Sequence, residues 1–195
     1  MQVGVLGLQG AVREHVRSLD RLKIDSRVVK KTDGLDGLDG LILPGGESTA
    51  ISLLADEAFL ARLREMADAG VPMFGTCAGM ILLAKHVEGR RAPYIGAIDI
   101  DVRRNASGRQ VDSFEATLAV EGLGPFEAVF IRAPYILGCG PDVQVLAEHD
   151  GVAVMAKEKN VLVCSFHPEL TDDVRIHRLF ADMIEARDEG KEDVG

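Results

Sequence analysis

The feature that most constrains this chain is a set of short runs that are apolar with no polar alternation. Val3 to Leu8, Leu41 to Leu43 and Val71 to Phe74 are such runs. A strand of that kind needs apolar cover on both of its faces. Helical patterns lie between the runs. Val12, Val16 and Leu19 recur at helix spacing, and Phe59, Leu60, Leu63, Met66 and Ala67 mark an amphipathic helix that stops at Gly70. Ser26 to Lys30 reads as a second strand, and Ala78 to Ala84 as a helix start built from small residues. Strands alternating with helices predict an α/β fold in three layers, with a mostly parallel central sheet flanked by helices.

Beyond Ile95 the pattern changes. Ile95–Val102, Ser113–Val120, Ala128–Ile131, Val143–Glu148, Val152–Ala156 and Val161–Phe166 all read as strands, with no long helix between them. This predicts a β-rich antiparallel extension of the sheet or a β-rich insertion. A last helix, Asp173 to Arg187, carries Val174, Ile176, Leu179, Phe180, Met183 and Ile184 on its apolar side. The polar residues 188–195 are expected to form a flexible tail. The stretch from Asp33 to Gly40 is too short for a repeat architecture and reads as a turn-rich connection with one helical turn. With no linker in view, residues 1–195 are expected to form a single domain.

Composition narrows the function. The formal net charge is −9, from 22 basic and 31 acidic residues, and no long Lys/Arg block is present. Phosphate backbones and anionic membranes would repel such a surface, so neither nucleic acid nor membrane is expected as a partner. No apolar run approaches the roughly 20 residues that span a bilayer, and the start lacks a signal-peptide pattern. Three widely spaced cysteines do not make a disulfide framework. A reduced, cytoplasmic setting is the expectation.

The chemistry concentrates in two stretches. In Gly75-Thr76-Cys77-Ala78-Gly79 a strand ends, a nucleophilic side chain sits between glycines, and a helix begins. That is the spacing of a nucleophile elbow. The helix N-terminus favours a thiolate, and the Ala78 N–H would face a developing oxyanion. Taken alone, Cys77 fits a small buried core residue nearly as well. The second stretch is Ser165-Phe166-His167-Pro168-Glu169, at the end of an apolar run. In an extended segment His167 and Glu169 would share one side, with Pro168 stiffening the backbone between them. Glu169 could then hold the Nδ1 proton of His167 and leave Nε2 free for a thiol. Cys77, His167 and Glu169 thus have the residue types of nucleophile, base and orienter.

Two further features are weaker. Pro44-Gly45-Gly46-Glu47-Ser48-Thr49 follows a strand and can present backbone N–H groups to an anionic oxygen; without the phosphate-loop lysine, and with Glu47 in it, it is no phosphate loop. Arg104 and Arg132 stand at strand ends, where each could clamp a carboxylate or lie on the surface. Cys164 fits the core and Cys139 a loop. The spacing of the remaining histidines and cysteines matches no zinc site, so no metal is expected.

Together these stretches resemble the class I (triad) glutamine amidotransferases, which have a flavodoxin-like three-layer fold. Among them the chain is most similar to the glutaminase subunits of pyridoxal phosphate synthases. The resemblance rests on Leu8-Gln9-Gly10, Pro44 to Thr49, Gly75 to Met80, Arg104-Asn105, Gly108-Arg109-Gln110, Ile131-Arg132-Ala133-Pro134 and Ser165 to Leu170, and spans nearly the whole chain. It implies hydrolysis of L-glutamine to glutamate and ammonia, with ammonia passed to a synthase partner that makes pyridoxal 5'-phosphate. It implies Cys77 as nucleophile, His167 as base and Glu169 as its orienter, with Gly46 and Ala78 around the oxyanion hole. Gly46, Glu47, Ser48, Arg104, Ile131 and Arg132 would contact glutamine, and Gln9 and Gly10 would face the partner. No cofactor belongs to this subunit in that picture, pyridoxal phosphate being the product of the complex. Ser107 departs from the pattern, which has an aromatic residue there. The competing readings are a glutaminase for another ammonia-channelling enzyme, such as imidazole glycerol phosphate synthase, a non-amidotransferase elbow-cysteine protein of the same fold, and a non-catalytic scaffold that keeps the fold without the chemistry.

Overall fold

Parallel pairing of the apolar runs builds the centre of the molecule. The computed structural model describes residues 1–46, 56–104 and 113–192, with the backbone alone for 191 and 192. The first part runs β1 (Gln2–Leu6), α1 (Val12–Arg21), β2 (Asp25–Val29), a 3-10 turn (Thr32–Leu35), β3 (Gly40–Leu43), α2 (Glu57–Asp68), β4 (Met73–Thr76) and α3 (Ala78–Leu83). The second part is β5 (Ala84–Val87), β6 (Ile98–Arg103), β7 (Ser113–Val120), β8 (Gly124–Ile131), β9 (Tyr135–Cys139), β10 (Gln144–His149), β11 (Val152–Glu158), β12 (Val161–Cys164), a 3-10 turn (Pro168–Leu170) and α4 (Arg175–Glu192). The main sheet has the order β2-β1-β3-β4-β12-β11-β9-β6-β5, with β10 paired to β11. From β2 to β12 every pairing is parallel, whereas β12-β11, β11-β9 and β9-β6 are antiparallel. Both forms of the β-rich expectation are realised: β11, β9 and β6 extend the sheet, and β7-β8 form a separate two-stranded hairpin.

Each face of the sheet carries its own core. Leu41, Leu43, Met73, Val161 and Val163 pack with Phe59, Leu63 and Met66 of α2 and with Met80 to Leu83 of α3. Val3, Val5, Ile42, Phe74, Leu162 and Cys164 pack with Leu19 of α1, with Ile176, Phe180 and Ile184 of α4, and with Phe126 and Phe130 of the hairpin. Residues of β1, β3, β4 and β12 therefore alternate between two apolar layers, as unbroken apolar runs require. Helix α2 is bounded by local chemistry: the Asp56 carboxylate accepts from Phe59 N–H at 2.7 Å at its start. At its end Gly70, at φ +74°, lets Val71 N–H reach Met66 C=O and Gly70 N–H reach Ala67 C=O, the paired bonds of a Schellman motif.

Three expectations change. Strands β5 and β9 are absent from the sequence reading. In β5, Lys85 and His86 are exposed on a sheet edge, and β9 contains Gly138, so neither carries an apolar strand pattern. Cys139, expected in a loop, is the exposed last residue of β9 and pairs with Ile100. Helix α4 continues to Glu192, past the Arg187 end read from the sequence, because Asp, Glu and Lys are compatible with helix.

The elbow glycines are required by close packing. A Cβ on Gly79 would collide with the Leu43 carbonyl, and one on Gly75 would lie 2.6 Å from Gly79 C. Substituting Gly79→Ala should cost about 3 kcal/mol in urea unfolding, since backbone atoms cannot give way. Gly70→Ala, with open space around its Cβ, should cost only about 1 kcal/mol for the left-handed backbone.

Candidate active site

The four loops that follow β1, β3, β4 and β12 emerge together, because those strands are parallel and adjacent. Register places Leu43 beside Gly75 and Cys164 beside Thr76, so Gly45, Cys77 and His167 leave the sheet at one level. Cys77 caps α3 with φ 48° and ψ −105°, a conformation that costs an L residue about 1–3 kcal/mol. The Cys77 N–H donates to Cys164 C=O at 2.8 Å, and its S–H lies 3.8 Å from Ile131 C=O. A sharp turn thus joins β4 to α3, with Cys77 at its bend.

His167 and Glu169 meet as expected, but by another route. The segment does not stay extended; after His167 the chain turns into the 3-10 helix Pro168–Leu170. That turn brings Glu169 Oε1 to 2.8 Å from His167 Nδ1. Proline at the first helical position suits this geometry because its fixed φ is already helical. The hairpin holds the backbone, with His167 N–H donating to Val129 C=O at 2.8 Å. Both side chains are buried. Gly45 closes the constellation: its N–H donates to Thr76 Oγ1 at 2.9 Å. A Cβ there would sit 2.9 Å from His167 Nδ1 and 3.3 Å from Cys77 Cβ, so only glycine lets this loop pass.

A cleft of about 620 Å³ opens over these residues. Gly10, Gly46, Cys77, Ala78, Arg104, Ile131, Arg132 and His167 all line it. Arg132 holds φ 44°, a left-handed backbone directly after β8. Gly10, at φ +101°, packs directly on the Gly45 carbonyl, which also accepts from Ala11 N–H at 3.2 Å. Gln9 adjoins Gly46 in the same contact: a Cβ on Gly46 would lie 3.7 Å from Gln9 C. Glu47 and Ser48, with Thr49, lie outside the described residues, as does the stretch 105–112 that includes Ser107.

Residues 5–186 match the family described as the SNO glutamine amidotransferase family. The chain belongs to the SNO glutamine amidotransferase family. Proteins named pyridoxal 5'-phosphate synthase subunit PdxT from Bacillus licheniformis and Carboxydothermus hydrogenoformans are 56% and 54% identical to it. The first alignment covers 95% of each chain, and the second covers 94% of this chain and 98% of the relative. A crystal structure of a glutamine amidotransferase superposes with a TM-score of 0.90 at 48% identity, over 94% of this chain and 98% of the other. A glutamine amidotransferase from Thermotoga maritima shares the fold, with a TM-score of 0.62 at 13% identity over 96% of this chain and 85% of the other. The three-layer class I amidotransferase fold expected from the motifs is the fold of this chain.

Electrostatics in this amidotransferase are set by burial and close pairing. Burial opposes a charge on His167, yet hydrogen bonds with Cys77 and Glu169, and their charges, outweigh it and raise its pKa to about 10. Beneath His167 and Glu169 lie two residues that sequence reading passed over. His15 of α1 and His177 of α4 are fully buried, with His15 Nδ1 at 3.0 Å from His177 Nε2. Burial, then the charges of His177 and His167, push His15 well below its usual value; burial alone lowers His177 to about 4. Their signal was positional: each histidine stands on the apolar face of its helix, His15 one turn before Leu19 and His177 one turn before Phe180 and Ala181.

A raised folded-state pKa stabilises fully below the ordinary histidine value, and the stabilisation is lost as pH climbs through about 10. In Glu169→Gln the His167 pKa, followed by NMR titration of the ring, should fall below about 10 as the paired charge disappears.

Proposed function

We propose that this chain is the glutaminase subunit of a pyridoxal 5'-phosphate synthase, and that residues 1–195 act as one amidotransferase unit. The observation that carries the chemistry is the meeting of Cys77 and His167 in one cleft, with the buried Glu169 holding Oε1 at 2.8 Å from His167 Nδ1. Relatives above 50% identity named as PdxT subunits support the pathway. Their name also supports a synthase partner, which we take to be the ammonia acceptor.

Cys77 acts as the nucleophile. With His167 charged beside it, the thiolate attacks the side-chain amide carbon of glutamine, and the carbonyl oxygen becomes an oxyanion. N–H groups of Gly46 and Ala78 receive that oxyanion. His167 gives its Nε2 proton to the leaving nitrogen, which departs as ammonia and leaves a γ-glutamyl thioester on Cys77. Neutral His167 then takes a proton from water, hydroxide adds to the thioester carbon, and glutamate leaves as the thiolate re-forms. Glu169 orients the ring and stabilises its charged form throughout. Arg104 and Arg132 bind the α-carboxylate side of glutamine, with Ile131, Glu47 and Ser48 completing the pocket. The steps need neither a metal nor an organic cofactor from this subunit.

Gln9 and Gly10 form part of the partner surface. Gly10 rests on Gly45, so a partner pressing on this loop bears directly on the glycines that present Gly46 N–H. The isolated subunit should therefore be a weak glutaminase, with residues 45–46 rearranging on docking. Glutamate release should rise at least tenfold when a pyridoxal phosphate synthase subunit is added. It should fall by at least about 10³-fold in Cys77→Ala. Full turnover of the purified chain alone would defeat the docking requirement, and stimulation by a different synthase would move the pathway.

A further inference from the structure

The triad stands on a second, buried layer. Glu169 uses only one of its carboxylate oxygens toward His167; Oε2 is buried and makes no hydrogen bond. His15 Nε2 lies 3.6 Å from that oxygen and 3.2 Å from Thr76 Oγ1, with both the His15 and Glu169 side chains wholly inaccessible to solvent. On its other side His15 meets His177, whose remaining ring nitrogen, Nδ1, is buried without a partner. We propose that His15 and His177 are positioning residues for the triad: His177 donates to His15, and His15 donates toward Oε2 of Glu169, so that the carboxylate is held from both ends. This rests on the glutaminase reading for its effect on turnover, but not for its geometry.

Hydrogen-bond accounting selects the direction of the relay. If His177 carried its proton on Nδ1, that N–H would be a buried donor with no acceptor. His15 would then donate from Nδ1 to His177, and its Nε2 lone pair, although within reach of the Thr76 hydroxyl proton, would face a carboxylate. Both consequences are costly in a dry interior. With the proton on Nε2 of each ring, His177 donates to His15, and His15 donates to Thr76 Oγ1 and faces Glu169 Oε2. The two atoms left without a hydrogen bond, His177 Nδ1 and Glu169 Oε2, are then both acceptors, the less expensive kind of orphan. The titratable groups around His15 are His177 from α4, and His167 and Glu169 from the segment after β12. Burial keeps both lower rings neutral, whereas His167 is held charged. Glu169 therefore has one cationic partner, and the neutral relay orients it without competing for its charge.

Thr76 extends the same layer to the glycine loop. Its hydroxyl accepts from Gly45 N–H at 2.9 Å while lying 3.2 Å from His15 Nε2. His15 thus touches both the support of the triad base and the support of the loop that presents Gly46.

The alternative is that the two imidazoles merely fill space beside Phe74, whose ring meets each of them edge-on. The experiment separates these roles. Nitrogen-15 NMR of the wild-type chain should show Nε2–H tautomers at both His15 and His177. In the complex with a pyridoxal phosphate synthase subunit, His15→Leu should lower kcat for glutamine hydrolysis by about 10–100-fold with KM within about twofold, the range seen when ligand-orienting partners are removed. The His167 pKa should move down, in the same direction as in Glu169→Gln. His15→Gln, which keeps a donor near the Nε2 position, should return kcat to within about threefold of wild type. His177→Leu should show the same pattern, more weakly. An Nδ1–H tautomer at His177 would overturn the proposal, as would a folded His15→Leu variant with wild-type kcat and an unmoved His167 pKa. If His15→Leu does not fold, the wild-type tautomers and the His15→Gln comparison decide. If wild type shows no partner-stimulated turnover, the glutaminase reading fails, while the tautomers and the His167 titration still test the relay.

Discussion

Everything at the site depends on how β4 is paired. It lies between β3 and β12, parallel to both, and its last residues are in register with Leu43 and Cys164. Three loops of distant sequence are thereby delivered to one edge of the sheet. The turn after β4 must then be sharp enough to start α3 at once, and Gly75 and Gly79 make that possible by letting backbone meet backbone against the Leu43 carbonyl. The left-handed angle at Cys77 follows from that packing. Strain here is local and is offset by two apolar cores that hold the surrounding strands.

The second constraint is electrostatic. A buried carboxylate is tolerable only if its charge is paired and its oxygens are oriented. Glu169 meets this with a cationic His167 on one oxygen and the neutral His15 close to the other. Three imidazoles within one hydrogen-bonding distance or two of each other would repel if all were charged. Depth in the core separates them: the ring nearest the cleft keeps its proton, and the two deeper rings remain neutral. The β7-β8 hairpin, which belongs to the antiparallel part of the chain, completes the arrangement by accepting His167 N–H at Val129 and lying against Cys77 at Ile131.

Much of the fold was legible where burial acts on every position of a strand. Leu41 to Leu43, Val71 to Phe74 and Val161 to Cys164 are apolar because both faces are covered, and they are the strands that meet around the site. Strands β5 and β9 were not legible, because edge exposure and a glycine leave them without such a pattern. Cys77 was legible as a candidate because the elbow is a local motif. The pairing of His167 with Glu169 was anticipated from an extended segment, whereas a 3-10 turn makes it; a two-residue spacing is compatible with both.

By itself the sequence determined the alternation of strands and helices, the glycine-flanked cysteine, the His-Pro-Glu segment and the family to which they belong. These are properties of short stretches, where propensity, periodicity and turn chemistry act over a few residues. Tertiary structure alone decided which distant groups touch. Nothing local couples His15 to His177, separated by 162 positions, or Thr76 to Gly45, separated by 31. Those contacts exist because α1 and α4 cover the same face of a parallel sheet and bury two imidazoles under the strand end that carries Cys77. Periodicity can put a polar side chain on an apolar helix face, but only the packing of that face against another element selects its hydrogen-bond partner.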